Sequence, residues 1–163
     1  MFKTVRLSEH HRREDFSCGK PTLDHYLKRQ ANQDIKRKLS ACFVLEGANY
    51  QIKGYYTLSS DNIPLVIVPS EIKKKMPASY HYLPTTLIGR LALDTRFQRQ
   101  RLGELLLIDA LKRCFLLSHE IGSMAVLVDP LDTDATTFYS QYGFIKLESG
   151  RMFLPMKTIS EIF

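Results

Sequence analysis

The chain has 163 residues, 44% of them hydrophobic and 25% charged, with a formal net charge of +6 and a sequence pI near 9.3. That size suits one ordinary domain spanning residues 1–163, able to bury roughly 70 per cent of its unfolded surface without disulfides or metal. No stretch reaches 18 uninterrupted apolar residues, the start lacks a signal peptide's apolar core, and Cys18, Cys42 and Cys114 show neither CxxC nor Cys/His spacing. A membrane span, export, a disulfide framework and a zinc site are therefore not expected, and the thiols read as reduced in a cytoplasm.

In chain order, residues 3–7 read as a short edge strand and 10–16 as irregular. Pro21 suits a helix's first turn, and Leu23, Tyr26, Leu27 and Ala31 then form an apolar stripe, which predicts a helix from 21 to about 36. Residues 41–46 and 52–59 read as strands around the turn Gly47-Ala48-Asn49, a hairpin whose second strand leads into 63–68. From Pro69 to Pro84 the prolines, the Lys73-Lys74-Lys75 run and the Tyr80-His81-Tyr82 cluster predict a short helix and then a loop that rims a cleft.

Residues 87–93 are almost wholly apolar, as a buried strand would be, and apolar residues return at helical spacing from Leu102. On that helix Leu107, Ala110, Leu111 and Cys114 share one face, with Asp109, Lys112 and Arg113 on the other. Residues 123–128 read as a strand. Asp132 or Thr133 caps a helix bearing Ala135, Phe138, Tyr139 and Tyr142, and Gly143 stops it. Residues 144–147 and 151–156 close the chain as a strand pair around Glu148-Ser149-Gly150.

Between the apolar strand and its helix lies Gln98-Arg99-Gln100-Arg101-Leu102-Gly103. A helix N-terminus offers unpaired N–H groups and a positive dipole end, and Arg96, Arg99 and Arg101 add charge, so an anion is the natural ligand. The net charge also asks for an acidic partner.

These residues resemble the GNAT superfamily of N-acetyltransferases, whose Q/R-x-x-G-x-G/A turn cradles the pyrophosphate of coenzyme A. Gln98, Leu102 and Gly103 fit, while Arg101 stands where the family has its first glycine and either adds a phosphate contact or crowds the turn. Ala135-Thr-Thr-Phe-Tyr-Ser-Gln-Tyr-Gly-Phe144 is similar to the family's A-x-x-F-Y-x-x-x-G-F signature. The resemblance implies a mixed, mostly antiparallel sheet of six to seven strands flanked by about four helices. Within the superfamily the chain looks closest to toxins that acetylate aminoacyl-tRNA and pair with ribbon-helix-helix antitoxins. That likeness rests on Phe16-Ser-Cys-Gly-Lys-Pro-Thr-Leu-Asp-His-Tyr-Leu27, Gly89-Arg-Leu-Ala-Leu-Asp94 and Arg151-Met-Phe-Leu-Pro-Met156.

The resemblance implies acetyl-CoA as cosubstrate. Leu91, Ala92 and Leu93 would offer backbone to its pantetheine arm, Gln98, Arg99, Gln100, Arg101, Leu102, Gly103 and Glu104 would hold its pyrophosphate, and Phe138 and Tyr142 would flank it, unless they only pack. Tyr139 would give a proton to the departing sulfur, since a phenol with an ordinary pKa near 10 stays protonated at neutral pH; its rival role is packing. No carboxylate or histidine stands out as a base. An α-amino group, with a pKa near 7.7 to 8.0, needs less help than a lysine near 10.4, so an α-amino acceptor is favoured.

Lys36-Arg37-Lys38, Lys73-Lys74-Lys75, Arg12-Arg13 and Arg90 are candidates for an RNA surface, against the plainer reading of solvated charge. Asp129, Asp132 and Asp134 read as capping residues rather than metal ligands. The toxin resemblance further implies an antitoxin, for which residues 152–163 offer one contact, and a homodimer. Two other readings stay open, a housekeeping acetyltransferase of small amines or peptide N-termini and a non-catalytic acetyl-CoA sensor.

Overall fold

The computed structural model describes residues 2–163. In chain order the elements are β1 (Val5–Arg6), α1 (Pro21–Arg29), α2 (Ala31–Lys36), β2 (Ala41–Glu46), β3 (Ile52–Pro64), α3 (Ser70–Lys73), β4 (Tyr82–Leu93), α4 (Leu102–Leu117), β5 (Ala125–Val128), α5 (Thr133–Gln141), β6 (Ile145–Lys146), β7 (Met152–Pro155) and α6 (Met156–Ser160). The strands order as β1-β2-β3-β4-β5-β7-β6 in one sheet. The β1/β2, β2/β3, β5/β7 and β6/β7 pairs are antiparallel and β4/β5 is parallel, the mixed α/β class expected.

Among the described residues there are six helices, two of them short, where about four were expected. The helix predicted over 21–36 breaks at Gln30, whose φ of −122° leaves the helical region. At the C-terminus Met156 and Ile159, three apart and both buried, fold the chain into α6. The tail foreseen as an antitoxin contact is thus partly core, because Met152, Phe153 and Leu154 are buried as well. β3 and β4 also outrun their apolar patterns, β3 continuing through Ser60, Asp61 and Asn62 and β4 beginning at Tyr82. Ladder hydrogen bonds carry a strand through residues whose side chains give no signal.

The chain divides into two compact units, residues 2–59 with 89–110 and residues 60–88 with 111–163. The core of the first gathers Phe16, Tyr26, Leu27, Val44, Ile52 and Tyr55. Tyr55 meets Phe16 edge-on and Tyr26 face-on, and its hydroxyl donates to the Leu23 carbonyl at 2.7 Å. Asp109 departs from the solvent face assigned to it, because its Oδ2 accepts from the Tyr56 hydroxyl at 2.7 Å and from Thr4 Oγ1 at 2.5 Å. The core of the second unit gathers Ile63, Leu65, Val68, Leu83, Leu127 and Phe153.

At Gly54 β3 meets its surroundings closely. A Cβ there would lie 2.9 Å from the Ala92 carbonyl oxygen, 3.1 Å from Leu93 Cδ1 and 3.2 Å from Leu106 Cδ2. The backbone oxygen cannot swing aside as a side chain would. Gly54→Ala is therefore expected to cost roughly 2 kcal/mol, read as a lower urea midpoint. An unchanged midpoint would mean that β4 yields freely.

Candidate active site

In the first unit the site begins where β4 ends. Leu91 and Leu93 are half-buried and Ala92 is buried. Asp94, 1% exposed, follows, and its carboxylate accepts from the backbone N–H groups of Ser17 and Arg96 at 3.0 and 2.9 Å. Arg96 adds its Nε at 2.9 Å and its Nη2 at 3.0 Å. Burial alone would raise the carboxyl pKa, but these bonds outweigh it and hold the group below its ordinary value. The Thr95 N–H donates to the Ser17 carbonyl, and Gln98 Nε2 donates to the carbonyls of Leu93 at 2.9 Å and Cys18 at 3.3 Å. The strand end is thereby tied to the segment that leads into α1.

This corrects two expectations for side chains. The Gln98 amide serves the protein's own carbonyls, and Arg96 is engaged by Asp94 and by the Asp15 carbonyl at 3.2 Å. The turn itself remains the candidate anion cradle. Arg99 and Arg101 adopt φ of 66° and 61°, the left-handed region, on either side of Gln100. Arg101 thus takes a backbone conformation that a glycine adopts without strain, and left-handed residues within a turn aim N–H groups into an anion-binding concavity. Arg99, Gln100 and Arg101 are exposed, Leu102, Gly103 and Glu104 are half-buried, and α4 starts here with its first-turn N–H groups lacking intrahelical acceptors. These features fit a pyrophosphate.

In the second unit α5 carries the candidate acid. Asp132 Oδ1 accepts from the Ala135 N–H at 2.9 Å, the cap expected there. Gly143 at φ 90° ends the helix, and the Phe144 N–H donates to the Tyr139 carbonyl at 3.2 Å. Tyr139 is buried between Phe138 and Phe144, with ring centroids 5.3 and 5.2 Å away, and Phe138 also meets Tyr142 at 5.1 Å. Burial pushes the Tyr139 phenol well above its ordinary pKa, so it holds its proton throughout the neutral range.

The basic candidates divide. Arg90 is half-buried, its guanidinium 3.5 Å from the Tyr26 ring centroid, a cation–π contact that engages it within the first unit. Arg12 and Arg13 donate to the Asn49 and Ser8 carbonyls. Lys36, Arg37 and Lys38 at the end of α2, and Lys73, Lys74 and Lys75 at α3, are exposed. Asp129 is no cap; it accepts from Arg151 Nε at 2.7 Å, while Arg151 Nη2 reaches Asp61 at 2.6 Å.

Four arrangements carry little or no sequence signal. The Asp94 cluster joins residues 77 apart, and Asp61 lies 90 residues from Arg151. His11 is buried with Nε2 2.7 Å from Glu46, and its Nδ1 accepts from the Ser8 N–H, so Nε2 bears the proton. The thiols of Cys18, Cys42 and Cys114 are all buried, which pushes their pKa values up to about 11, 12 and 12.

No protein-family model matches the chain. A tRNA-acetylating toxin of Mycobacterium tuberculosis (strain ATCC 25618 / H37Rv) is 35% identical over 129 residues, 79% of this chain and 75% of that protein. The probable toxin TacT of Sinorhizobium fredii (strain NBRC 101917 / NGR234) is 31% identical over 162 residues, 93% of this chain and 89% of that one. Among solved structures, AtaT complexed with acetyl-methionyl-tRNAfMet superposes with a TM-score of 0.91 at 27% identity, covering 100% of this chain and 99% of that one. AtaTR bound with AcCoA gives 0.87 at 28% identity, with 99% and 98% covered. A tyrosine-to-phenylalanine mutant of the toxin AtaT, bound to the C-terminus of the antitoxin AtaR and acetyl-CoA, gives 0.83 at 25% identity, with 100% and 98% covered. With identity of this order along most of its length, the chain belongs to the family of tRNA-acetylating toxins, N-acetyltransferases of the GNAT fold.

Proposed function

We propose that this chain, acting as one domain in the cytoplasm, transfers acetyl from acetyl-CoA to the α-amino group of an aminoacyl-tRNA. The observation that carries the reading is the identity with the tRNA-acetylating toxin. Supporting it, AtaT is solved with an acetylated aminoacyl-tRNA, and no helix among the described residues is long and apolar enough to cross a membrane. A neutralising antitoxin is the proposed partner, as AtaR is of AtaT.

When bound, acetyl-CoA supplies the activated acyl group. The backbone N–H groups around Arg99, Arg101 and the start of α4 hold its pyrophosphate, with the two guanidinium groups adding charge. Residues 91–93 lie alongside its pantetheine arm. Tyr139 holds a proton on Oη, which its raised pKa keeps in place throughout the neutral range, and delivers it to the departing sulfur. The acceptor arrives as a neutral amine, which an α-amino group supplies in useful amount at neutral pH without a protein base.

The test is transfer of labelled acetyl from acetyl-CoA to total charged tRNA, with deacylated tRNA, small amines and peptides in parallel. Label confined to charged tRNA is the expected result. Label confined to amines or peptides would replace the toxin reading with a housekeeping one, and cofactor binding with no transfer would make the chain a sensor.

A further inference from the structure

The insert between β3 and β4 has two faces. Leu65 and Val68 belong to the core of the second unit, as does Leu83 of β4, with Ile72 and Met76 packed against it, so the insert is anchored at four points. A hydrogen bond from the Leu65 N–H to the His81 carbonyl, 2.9 Å, ties the segment after β3 to the one that opens β4. Packing accounts for those residues and leaves a second set outside. Val66 is 74% exposed, Tyr80 52% and Tyr82 59%, on either side of that hydrogen bond.

Charge says what covers this face. Lys73, Lys74 and Lys75 are exposed on the same insert, and residues 62–88 carry a single acidic side chain, Glu71. Exposed aromatic rings and an excess of exposed lysines on one short stretch of chain are the elements of a single-strand nucleic-acid platform, rings stacking on bases while ammonium groups meet phosphates. Resting on the aminoacyl-tRNA reading above, we propose that the insert is the docking surface for the unpaired nucleotides at the acceptor end, with Tyr80 and Tyr82 stacking on bases and Lys73–Lys75 meeting the backbone. Unpaired bases offer the open faces that stacking needs, whereas a duplex hides them.

The experiment measures binding of uncharged tRNA, intact or trimmed of its unpaired terminal nucleotides, with coenzyme A binding as the control for folding. Trimming is expected to weaken the wild-type complex roughly 10-fold or more, and the Tyr80→Leu/Tyr82→Leu variant, which keeps apolar bulk but lacks rings, is expected to lose that preference. Replacing Lys73, Lys74 and Lys75 by glutamine is expected to weaken intact tRNA more than trimmed tRNA and to flatten the slope of log affinity against log salt for intact tRNA by about 2. A leucine variant that binds coenzyme A normally and still prefers intact tRNA would overturn the surface. Loss of an antitoxin peptide by that variant, with tRNA binding intact, would overturn it too. Wild-type protein that labels no charged tRNA would instead overturn the acceptor itself, and this surface with it.

Discussion

Tyr139→Phe is expected to lower turnover by roughly 100-fold or more while leaving acetyl-CoA affinity unchanged. Phenylalanine preserves the ring that meets Phe138 and Phe144, so α5 and the start of β6 keep their packing. Among the described residues no hydrogen bond to the Tyr139 hydroxyl is lost, because none is made there, which separates a chemical role from a structural one. Single-turnover transfer alongside calorimetric titration with acetyl-CoA measures both quantities. The pH profile supplies a second check. Because burial raises the phenol's pKa, activity should climb as the acceptor amine deprotonates near pH 7.7 to 8.0 and show no falling limb from the acid until well into the alkaline range. Unchanged turnover in the variant would reduce Tyr139 to packing.

Asp94→Asn carries the second large effect, on stability and on cofactor affinity together. The carboxylate is buried and accepts from two backbone N–H groups and from two nitrogens of Arg96, so exchanging it for an amide turns acceptor positions into donors that face donors. The expected loss is about 3 kcal/mol at pH 7. Since the same residue joins the end of β4 to Ser17, the phosphate turn that follows should loosen and acetyl-CoA affinity should fall, with the chemical step spared in the molecules that bind. The folded pKa lies below the ordinary value, so the stabilising contribution is complete above pH ~3.9 and disappears as pH falls through the folded pKa. Urea unfolding at pH 7 and again near pH 3 checks this: the gap between wild type and variant should narrow in acid. A gap independent of pH would assign the loss to packing rather than charge.

The contrast between Gln98 and Asp94 shows how far a sequence carries. Elements with strong periodicity and local punctuation were legible, such as α5 with Asp132 at one end and Gly143 at the other, and β2, whose bounds match its apolar run. The turn between β4 and α4, the candidate cofactor site, was legible as a turn. Its chemistry was only half legible, because Arg96 and Gln98, side chains of the right kind to meet phosphate, are committed to partners distant in sequence or on the backbone. Arg101 is the opposite case. It stands where the family has a glycine, and its φ of 61° lies in the left-handed region that a glycine adopts freely. The break at Gln30 and the pairing of Arg151 with Asp61 and Asp129 depend on tertiary contacts that no local pattern encodes.

The buried cysteines have a consequence for a protein that handles an activated acyl group. A thioester passes readily to any neighbouring thiolate, and a chain with three reactive sulfurs would risk acylating itself. At pH 7.5 a thiol whose pKa is about 11 exists as thiolate in only about one molecule in three thousand, and Cys42 and Cys114 ionise less still. All three are therefore spectators to acyl exchange. By the same token, one cysteine introduced on the surface would outpace them toward maleimides, which makes the protein ready for single-site fluorescent labelling with its own sulfurs left in place.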